Sequence, residues 1–311
     1  MNGDRRGRRP QFRPTLDGRL ESRCLLASHR PVLARTALEG RGVIITDSTG
    51  ERFRVFVTDF PFTSDGGPTM QARPAPNGQV DLYIYGATPN TTLEVDPLPH
   101  NGVQISPQGI QNGTPQFGLT YTRMFLRNFP QGTKNHDGLL HIRNIIVPNG
   151  TLGSILAYRT ASLSGSLILP GTTPVDRIAL EAVNPGATIA TGGDINTLDI
   201  FDNLSLSGAG TGLSVGRDLN WMSVGGNVTA TDGANFLVGR DVGLVAQPAK
   251  GTDTGGQGGL IGGDLAIVAP SVFAVGRALD APLLVRGHAA SITQFSIPSG
   301  GQNLTALGGF S

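Results

Sequence analysis

Between residues 190 and 290 one seven-residue phrase recurs, and it constrains the fold more than any other part of the chain. It runs: a small or apolar residue, a mostly aliphatic position, Gly, Gly or Arg, Asp or Asn, an aliphatic, and a small or polar residue. The copies are Ala190-Thr191-Gly192-Gly193-Asp194-Ile195-Asn196, Ser214-Val215-Gly216-Arg217-Asp218-Leu219-Asn220 and Ser223-Val224-Gly225-Gly226-Asn227-Val228-Thr229. Two more are Leu237-Val238-Gly239-Arg240-Asp241-Val242-Gly243 and Leu260-Ile261-Gly262-Gly263-Asp264-Leu265-Ala266. The phrase weakens at Ala274-Val275-Gly276-Arg277-Ala278-Leu279-Asp280 and fades at Leu284-Val285-Arg286-Gly287-His288.

Taking Asp194, Asp218, Asp241 and Asp264 as equivalent gives steps of 24, 23 and 23 residues, with Asn227 dividing one step into 9 and 14. From 264 through 278 to 288 the two parts return as 14 and 10. Such a beat predicts a β-solenoid, with two or three short strands per coil and coils stacked at about 4.8 Å. Parallel crossovers make it right-handed. The glycines Gly192, Gly216, Gly225, Gly239, Gly262 and Gly276 are read as turn glycines that allow a left-handed corner. The Asp or Asn that follows is read as hydrogen-bonding locally to that corner. Flanking aliphatics such as Val215, Leu219, Val238 and Val242 should point inward, each contributing about 1.5–3 kcal/mol by burial.

Composition agrees with short strands and tight turns. The 311 residues hold 45 Gly, and charged residues are 15 % against a usual share of roughly 25 %. A helical protein would carry more Ala, Glu, Lys and Leu. The fold class expected is therefore all-β: a right-handed parallel β-helix or solenoid, preceded by a β-rich module and a disordered basic tail. The tail covers 1–40 and the β-rich module 41–138. The solenoid covers 139–298 with coils of about 23 residues, and a C-terminal tail covers 299–311. Within the module, Val43 to Thr46 and Phe53 to Val57 read as a hairpin about Asp47-Ser48-Thr49-Gly50. Val80 to Tyr85 and Thr91 to Val95 read as strands. Residues 61–79, with their Pro and Gly, read as a loop. From Leu139 short aliphatic runs follow: Ile142 to Val147, Leu152 to Leu156, Leu163 to Leu169, Ile178 to Val183 and Thr188 to Thr191.

Charge is unevenly placed. Residues 1–41 hold ten Arg and four acidic groups, a net of +6, while the remainder carries −5. A basic tail on a mildly acidic body argues against nucleic-acid binding by the body, which offers no concentrated basic face. The single Cys24 excludes an intramolecular disulfide and a cysteine-ligated metal, and no apolar run is long enough for a membrane-spanning helix. In the tail, Leu20-Glu21-Ser22-Arg23-Cys24-Leu25-Leu26 follows Arg5, Arg6, Arg8, Arg9, Phe12 and Pro14. It resembles the Leu-Glu-Pro-Arg-x-Leu-Leu signature of the LEPR-XLL segment found near the N-termini of planctomycete proteins, many of them repeat-rich and surface-associated. Ser22 stands at the family's Pro. The resemblance covers about residues 9–28, assigns Leu20, Glu21, Arg23, Leu25 and Leu26 to a sorting motif, and implies export to the cell surface or beyond. The body is similar in composition to β-repeat proteins of the same bacteria.

Several groups of residues carry candidate chemistry. Asp194, Asp218, Asp241 and Asp264 could form a carboxylate ladder whose members repel by roughly 1–3.5 kcal/mol per pair. Arg217 and Arg240, a Ca²⁺ ion, or plain solvent exposure with the side chain as a turn cap would offset this. Asn227 and Ala278 at equivalent positions favour the cap, so Ca²⁺ is the one cofactor considered and no metal or catalytic residue is assigned. Gly255-Gly256-Gln257-Gly258-Gly259-Leu260 has Leu260 where a Ca²⁺-binding nonapeptide has Asp, and reads as a loop. Gly212-Leu213-Ser214-Val215-Gly216 fits a nucleophile elbow in letters only, since periodicity explains it. His136, Asp137 and His141 form the one dense group of possible bases. Trp221 and Tyr121 could stack on a sugar, although a lone Trp in an apolar strand is more often core.

These features lead to an expected function: a non-enzymatic, exported β-solenoid acting as a structural or adhesive module, with cell-envelope components or polysaccharide as partners. One alternative is a carbohydrate-active β-helix enzyme, a lyase or hydrolase. Such an enzyme needs charged side chains converging on one face in adjacent coils, and from 139 to 290 Asp and Arg are read at turn positions only. A second alternative makes the chain a fragment of a larger autotransported surface repeat protein.

Overall fold

The computed structural model describes residues 32–35, 41–47, 50–59, 67–98, 137–243, 259–290, 295–299 and 301–311, the first of these as backbone only. The tail motif, Cys24, Tyr121, His136 and the 255–258 glycines lie outside the described residues. Within them the chain is all-β, and from Leu140 onward it is a parallel β-solenoid.

Each full coil turns three corners and lays one strand on each of three faces, and at one corner Asp241–Val242 and Ala278–Leu279 add a short parallel pair. Face 1 stacks Ser154–Leu156, Val175–Leu180, Ile195–Ile200, Met222–Val224, Gly259–Ile261, Leu283–Val285 and Leu304–Ala306 in parallel. Face 2 stacks Ala161–Leu163, Ala182–Val183, Leu204–Ser207, Val228–Thr231 and Leu265–Ile267. Face 3 stacks Ser166–Leu169, Thr188–Thr191, Gly212–Val215, Asn235–Val238, Phe273–Val275 and Phe295–Ser296. Two apolar runs that look like single strands in the sequence therefore bend round a corner. Leu163 to Leu169 turns at Ser164-Gly165, and Ile178 to Val183 turns at Glu181.

In most strands alternate residues point inward, as the period-2 rule requires, while Leu140–Ile146, Val175–Leu180 and Ile195–Ile200 each break the alternation once. Val215, Leu219, Val238 and Val242 are all buried. Stacking aligns like with like: Phe236 lies under Phe273 with ring centroids 4.5 Å apart, and Phe295 meets Phe273 edge-on at 5.5 Å. The coil length is 20 to 24 residues by strand register, except for one step of 37 from Met222 to Gly259. Extra residues between Val242 and Gly259 account for that step, because 219 to 242 is still 23.

At its N-terminal end the solenoid grows out of antiparallel strands. We label these β1 (Val32–Arg35), β2 (Gly42–Thr46), β3 (Arg52–Asp59), β4 (Thr69–Pro74), β5 (Val80–Tyr85), β6 (Thr91–Leu98) and β7 (Leu140–Ile146). β1, β2, β3 and β6 pair antiparallel in that order, and β6 then pairs parallel with Ser154–Leu156 of face 1. β4 and β5 form an antiparallel pair, and β5 passes to β7 in parallel. β7 runs straight where later coils turn, with Leu140–Ile142 on face 2 and Ile145–Ile146 on face 3. Buried apolar side chains from Val43 to Leu304 form one continuous core. β4 corrects the expectation of a loop over 61–79. Among the described residues it is an edge strand pairing only with β5, and an edge tolerates the terminal Pro74 that argues against a strand elsewhere.

Where antiparallel gives way to parallel, Glu94 of β6 faces outward opposite Phe56 of β3, beside the Arg54–Asp96 ion pair at 2.7 Å. Burial, reinforced by Asp96 and opposed by Arg54 and the Thr58 hydroxyl, pushes its carboxyl up from 4.5 to about 7. The folded chain thus holds this proton more tightly than the unfolded chain. The resulting stabilisation is complete below about 4.5 and is lost as the pH rises to about 7. Melting midpoints should fall across that window, and Glu94→Gln should flatten the fall. Separately, Phe273→Ala should lower the unfolding free energy in urea by about 3–5 kcal/mol.

Candidate functional site

The repeated phrase marks two of the three corners, and the two are built differently. Between faces 3 and 1 lie Asp194, Asp218, Asp241 and Ala278. The backbone N–H of Asp218 donates to Asp194 Oδ1, that of Asp241 to Asp218 Oδ1, and that of Ala278 to Asp241 Oδ1, each at 3.1 Å. Between faces 1 and 2 lie Asn203, Asn227, Asp264 and His288. There the same bond recurs at 2.8 Å, from Asn227 to Asn203, Asp264 to Asn227 and His288 to Asp264. The cap is therefore not local. Each side chain accepts from the coil stacked on it.

Two expectations need correction. Asp264 does not continue the ladder of Asp194, Asp218 and Asp241. The residue stacked on Asp241 is Ala278, 37 positions later, and the 23-residue step from 241 to 264 is an accident of the extra residues before Gly259. Nor do the six phrase glycines adopt a left-handed backbone; positive φ is found instead at Gly186, Gly208, Gly210 and Gly233 in the third corner. The phrase glycines are required by close approach. A Cβ on Gly216 would lie 2.6 Å from the carbonyl oxygen of Gly192, and one on Gly192 would lie 2.6 Å from that of Gly171. Gly239 and Gly276 sit closer still over Gly216 and Gly239, as do Gly225 over Phe201 and Gly262 over Gly225.

Close approach also explains the choice of Gly or Arg at the next position. At the second corner a Cβ on Gly226, Gly263 or Gly287 would run into the side-chain oxygen of Asn203, Asn227 or Asp264 below. At the first corner a Cβ on Gly193 would run into the backbone of Thr172 and Thr173, but in the coils above it Arg stands over each Asp: Arg217 over Asp194 at 3.4 Å, Arg240 over Asp218 at 3.1 Å and Arg277 over Asp241 at 3.4 Å. Among the described residues no group of three or more His, Cys, Asp or Glu is placed to hold a metal.

The His group resolves into a hydrogen-bonded chain. Asp137 Oδ2 lies 2.9 Å from His141 Nε2, and His141 Nδ1 lies 2.9 Å from Ser162 Oγ. Ser162 is only 2 % exposed, so its hydroxyl is covered, and the chain ties β7 to the first face-2 strand. Ser214 lies on a face-3 strand between Ala190 and Leu237, with no helix after it.

Functional groups do converge on the outer side of face 1, contrary to the expectation that Asp and Arg sit only at turns. Arg177 and Asp199 are on strands, on adjacent coils, and pair at 3.5 Å. Arg177 Nη1 also donates to the Tyr158 hydroxyl at 2.8 Å. Burial raises the Asp199 carboxyl, against the pull of Arg177. In the adjoining corner the Tyr158 ring packs edge-on against Phe201 at 5.8 Å, and the Arg159 guanidinium lies over Phe201 at 5.3 Å. Arg159 holds a left-handed backbone (φ 52°), a conformation costing a non-glycine residue about 1–3 kcal/mol. Glu181, also there, is raised by burial. Trp221 is not core. Its neighbour Met222 points inward, and Trp221 is half-buried on the outer side. Strand alternation was the signal for the strand members: Arg177 and Ala179, Thr197 and Asp199, and Trp221 and Ser223 are the outward members of their runs, while Tyr158, Arg159, Glu181 and Phe201 lie in a corner, where alternation gives no signal.

Asp218→Asn keeps the inter-coil acceptor and disturbs only a part-exposed ion pair, so urea denaturation should show a loss of no more than about 1 kcal/mol. Asp218→Ala strips the Asp241 N–H of its acceptor and should cost about 1–3 kcal/mol. Gly239→Ala, whose methyl meets backbone, should cost at least as much, about 1–3 kcal/mol or more. The melting midpoint should be the same with and without EDTA; a drop would place a cation in the ladder.

Compared with known proteins, the chain matches no protein-family model, no curated protein and no solved structure.

Proposed function

We propose that the chain is an exported, non-enzymatic structural or adhesive module of the cell surface or extracellular space. The observation that carries this reading is the engagement of the conspicuous Asp, Asn and Arg residues of the repeat between coils, where they hold the stack together. Support also comes from the basic tail and its Leu20-to-Leu26 segment, whose resemblance to a sorting signal implies export. Cell-envelope components or polysaccharide are the partners such a module would meet.

Cell fractionation combined with N-terminal sequencing of the native protein tests the reading. Recovery in the envelope or medium is expected, and full-length chain confined to the cytosol would overturn it. The convergence of Arg177, Asp199, Tyr158 and Glu181 near face 1 favours a second reading, a polysaccharide-active enzyme. Incubation with soluble polysaccharides should release no new reducing ends; their appearance would replace the non-enzymatic reading with that one.

A further inference from the structure

We propose that the outer side of face 1 binds an unbranched neutral polysaccharide laid across the coils, with Tyr158, Arg177, Asp199 and Trp221 as its contacts. The proposal rests on the adhesive reading above and names its ligand and site. The four residues come from four successive coils. Tyr158 follows Ser154–Leu156, Arg177 and Asp199 lie within the next two face-1 strands, and Trp221 immediately precedes Met222–Val224. By register Arg177 is paired with Thr197, and Leu198 with Met222, which puts Trp221 in the Arg177 column two strands on. Asp199 lies on the strand between them. At about 4.8 Å per strand the track is about 14 Å long, and its repeat is close to the length of one pyranose ring in an extended chain.

The chemistry suits a neutral sugar. An indole offers a flat apolar face to the C–H side of a pyranose, a carboxylate accepts from hydroxyls, a guanidinium donates to them, and a phenol does both. The groups are held in place before any ligand arrives, Arg177 by Asp199 at 3.5 Å and by the Tyr158 hydroxyl at 2.8 Å, which limits the ordering cost of binding. Between Leu156 and Asp199 the outward position is the small Ala179, wholly covered by its neighbours, so a ligand meets the larger side chains around it and not Ala179 itself. Arg177 and Asp199 cancel in charge, and around them, among the described residues, the carboxylates of Asp176, Glu181 and Asp202 outnumber the one further cation, Arg159. That surround disfavours a polyanion.

Trp221 is the chain's single tryptophan, so emission excited at the red edge of the absorption band, where the four tyrosines do not absorb, reports on the track alone. The full chain is titrated with the hexaoses of β-1,4-glucose, β-1,4-xylose, β-1,4-mannose, β-1,3-glucose and α-1,4-glucose, and with polygalacturonate. A saturable emission change with at least one neutral hexaose is expected. Asp199→Asn and Arg177→Met should each weaken it about tenfold, and calorimetry should find no binding by Trp221→Ala. Melting curves establish that each variant is folded. Flat emission throughout, saturation with polygalacturonate only, or neutral-hexaose affinity unchanged in folded Asp199→Asn and Arg177→Met would each overturn the proposal. A protein found in the envelope with flat emission loses this ligand and keeps its location. A cytosolic protein that binds a neutral hexaose keeps the track and loses the location.

Discussion

At two corners of every repeat coil the backbone lies directly on the carbonyl oxygens of the coil beneath, with space for a hydrogen atom and no more. Gly192, Gly216, Gly239 and Gly276 stack on one another in this way, and Gly262 on Gly225. Strand pairing alone sets the coil spacing on the flat faces, but a corner has to turn without lifting the next coil away. A methyl there would push the coils apart over the whole strand that follows. Glycine at these positions is thus a condition of stacking, and the left-handed backbone that glycine also permits is used at other positions, Gly171 beneath Gly192 and the third-corner glycines among them.

The Asp and Asn residues do complementary work. A chain turning a corner leaves an N–H outside the strand ladder, and burying it unpaired would cost about 1–3 kcal/mol. The side chain of the coil below takes it. Such a ladder needs a side-chain acceptor on every member except the last, whose backbone donates without having to accept. The two side-chain ladders stop at Ala278 and His288. One more coil stacks above them, and there backbone carbonyls take over as acceptors, with Ser299 N–H donating to Arg277 and Gly308 N–H to Gly287. Charge follows the same logic: Arg217, Arg240 and Arg277 each stand one coil above an Asp, whereas Gly193 lies over the backbone of Thr172 and Thr173, which leaves no space for a side chain.

The solenoid was legible in the Gly-Asp phrase because the same physical contact recurs once per corner and therefore prints the same letters. What sequence spacing could not reveal is which copies share a corner. Two corners use nearly the same phrase, nine or ten residues apart, and the extra residues before Gly259 bring Asp264 to the spacing of a neighbour it does not have. Sequence-local reasoning also misses contacts that are vertical, so a cap made to residue i+24 reads as a cap made to i+2. The antiparallel start was partly legible, with the β2–β3 hairpin marked by its turn. β4 was hidden by Pro74, whose tolerance depends on an edge position that only the assembled sheet defines.

A division of labour follows from these constraints. Inward positions must match the residue above and below, and corner positions must fit the close approach, so neither can vary freely from coil to coil. Outward strand positions carry no such requirement, and they differ at each step: Leu156, Ala179, Asp199, Ser223, Leu260 and Leu284 form one outward column of face 1. Face 1 also has the longest strands, six residues in Val175–Leu180 and Ile195–Ile200 against four or fewer in the solenoid strands of faces 2 and 3 beyond β7. It therefore offers the most outward positions per coil. The strand charges Arg177 and Asp199 and the lone Trp221 all fall there, on the surface the stacking rules leave free.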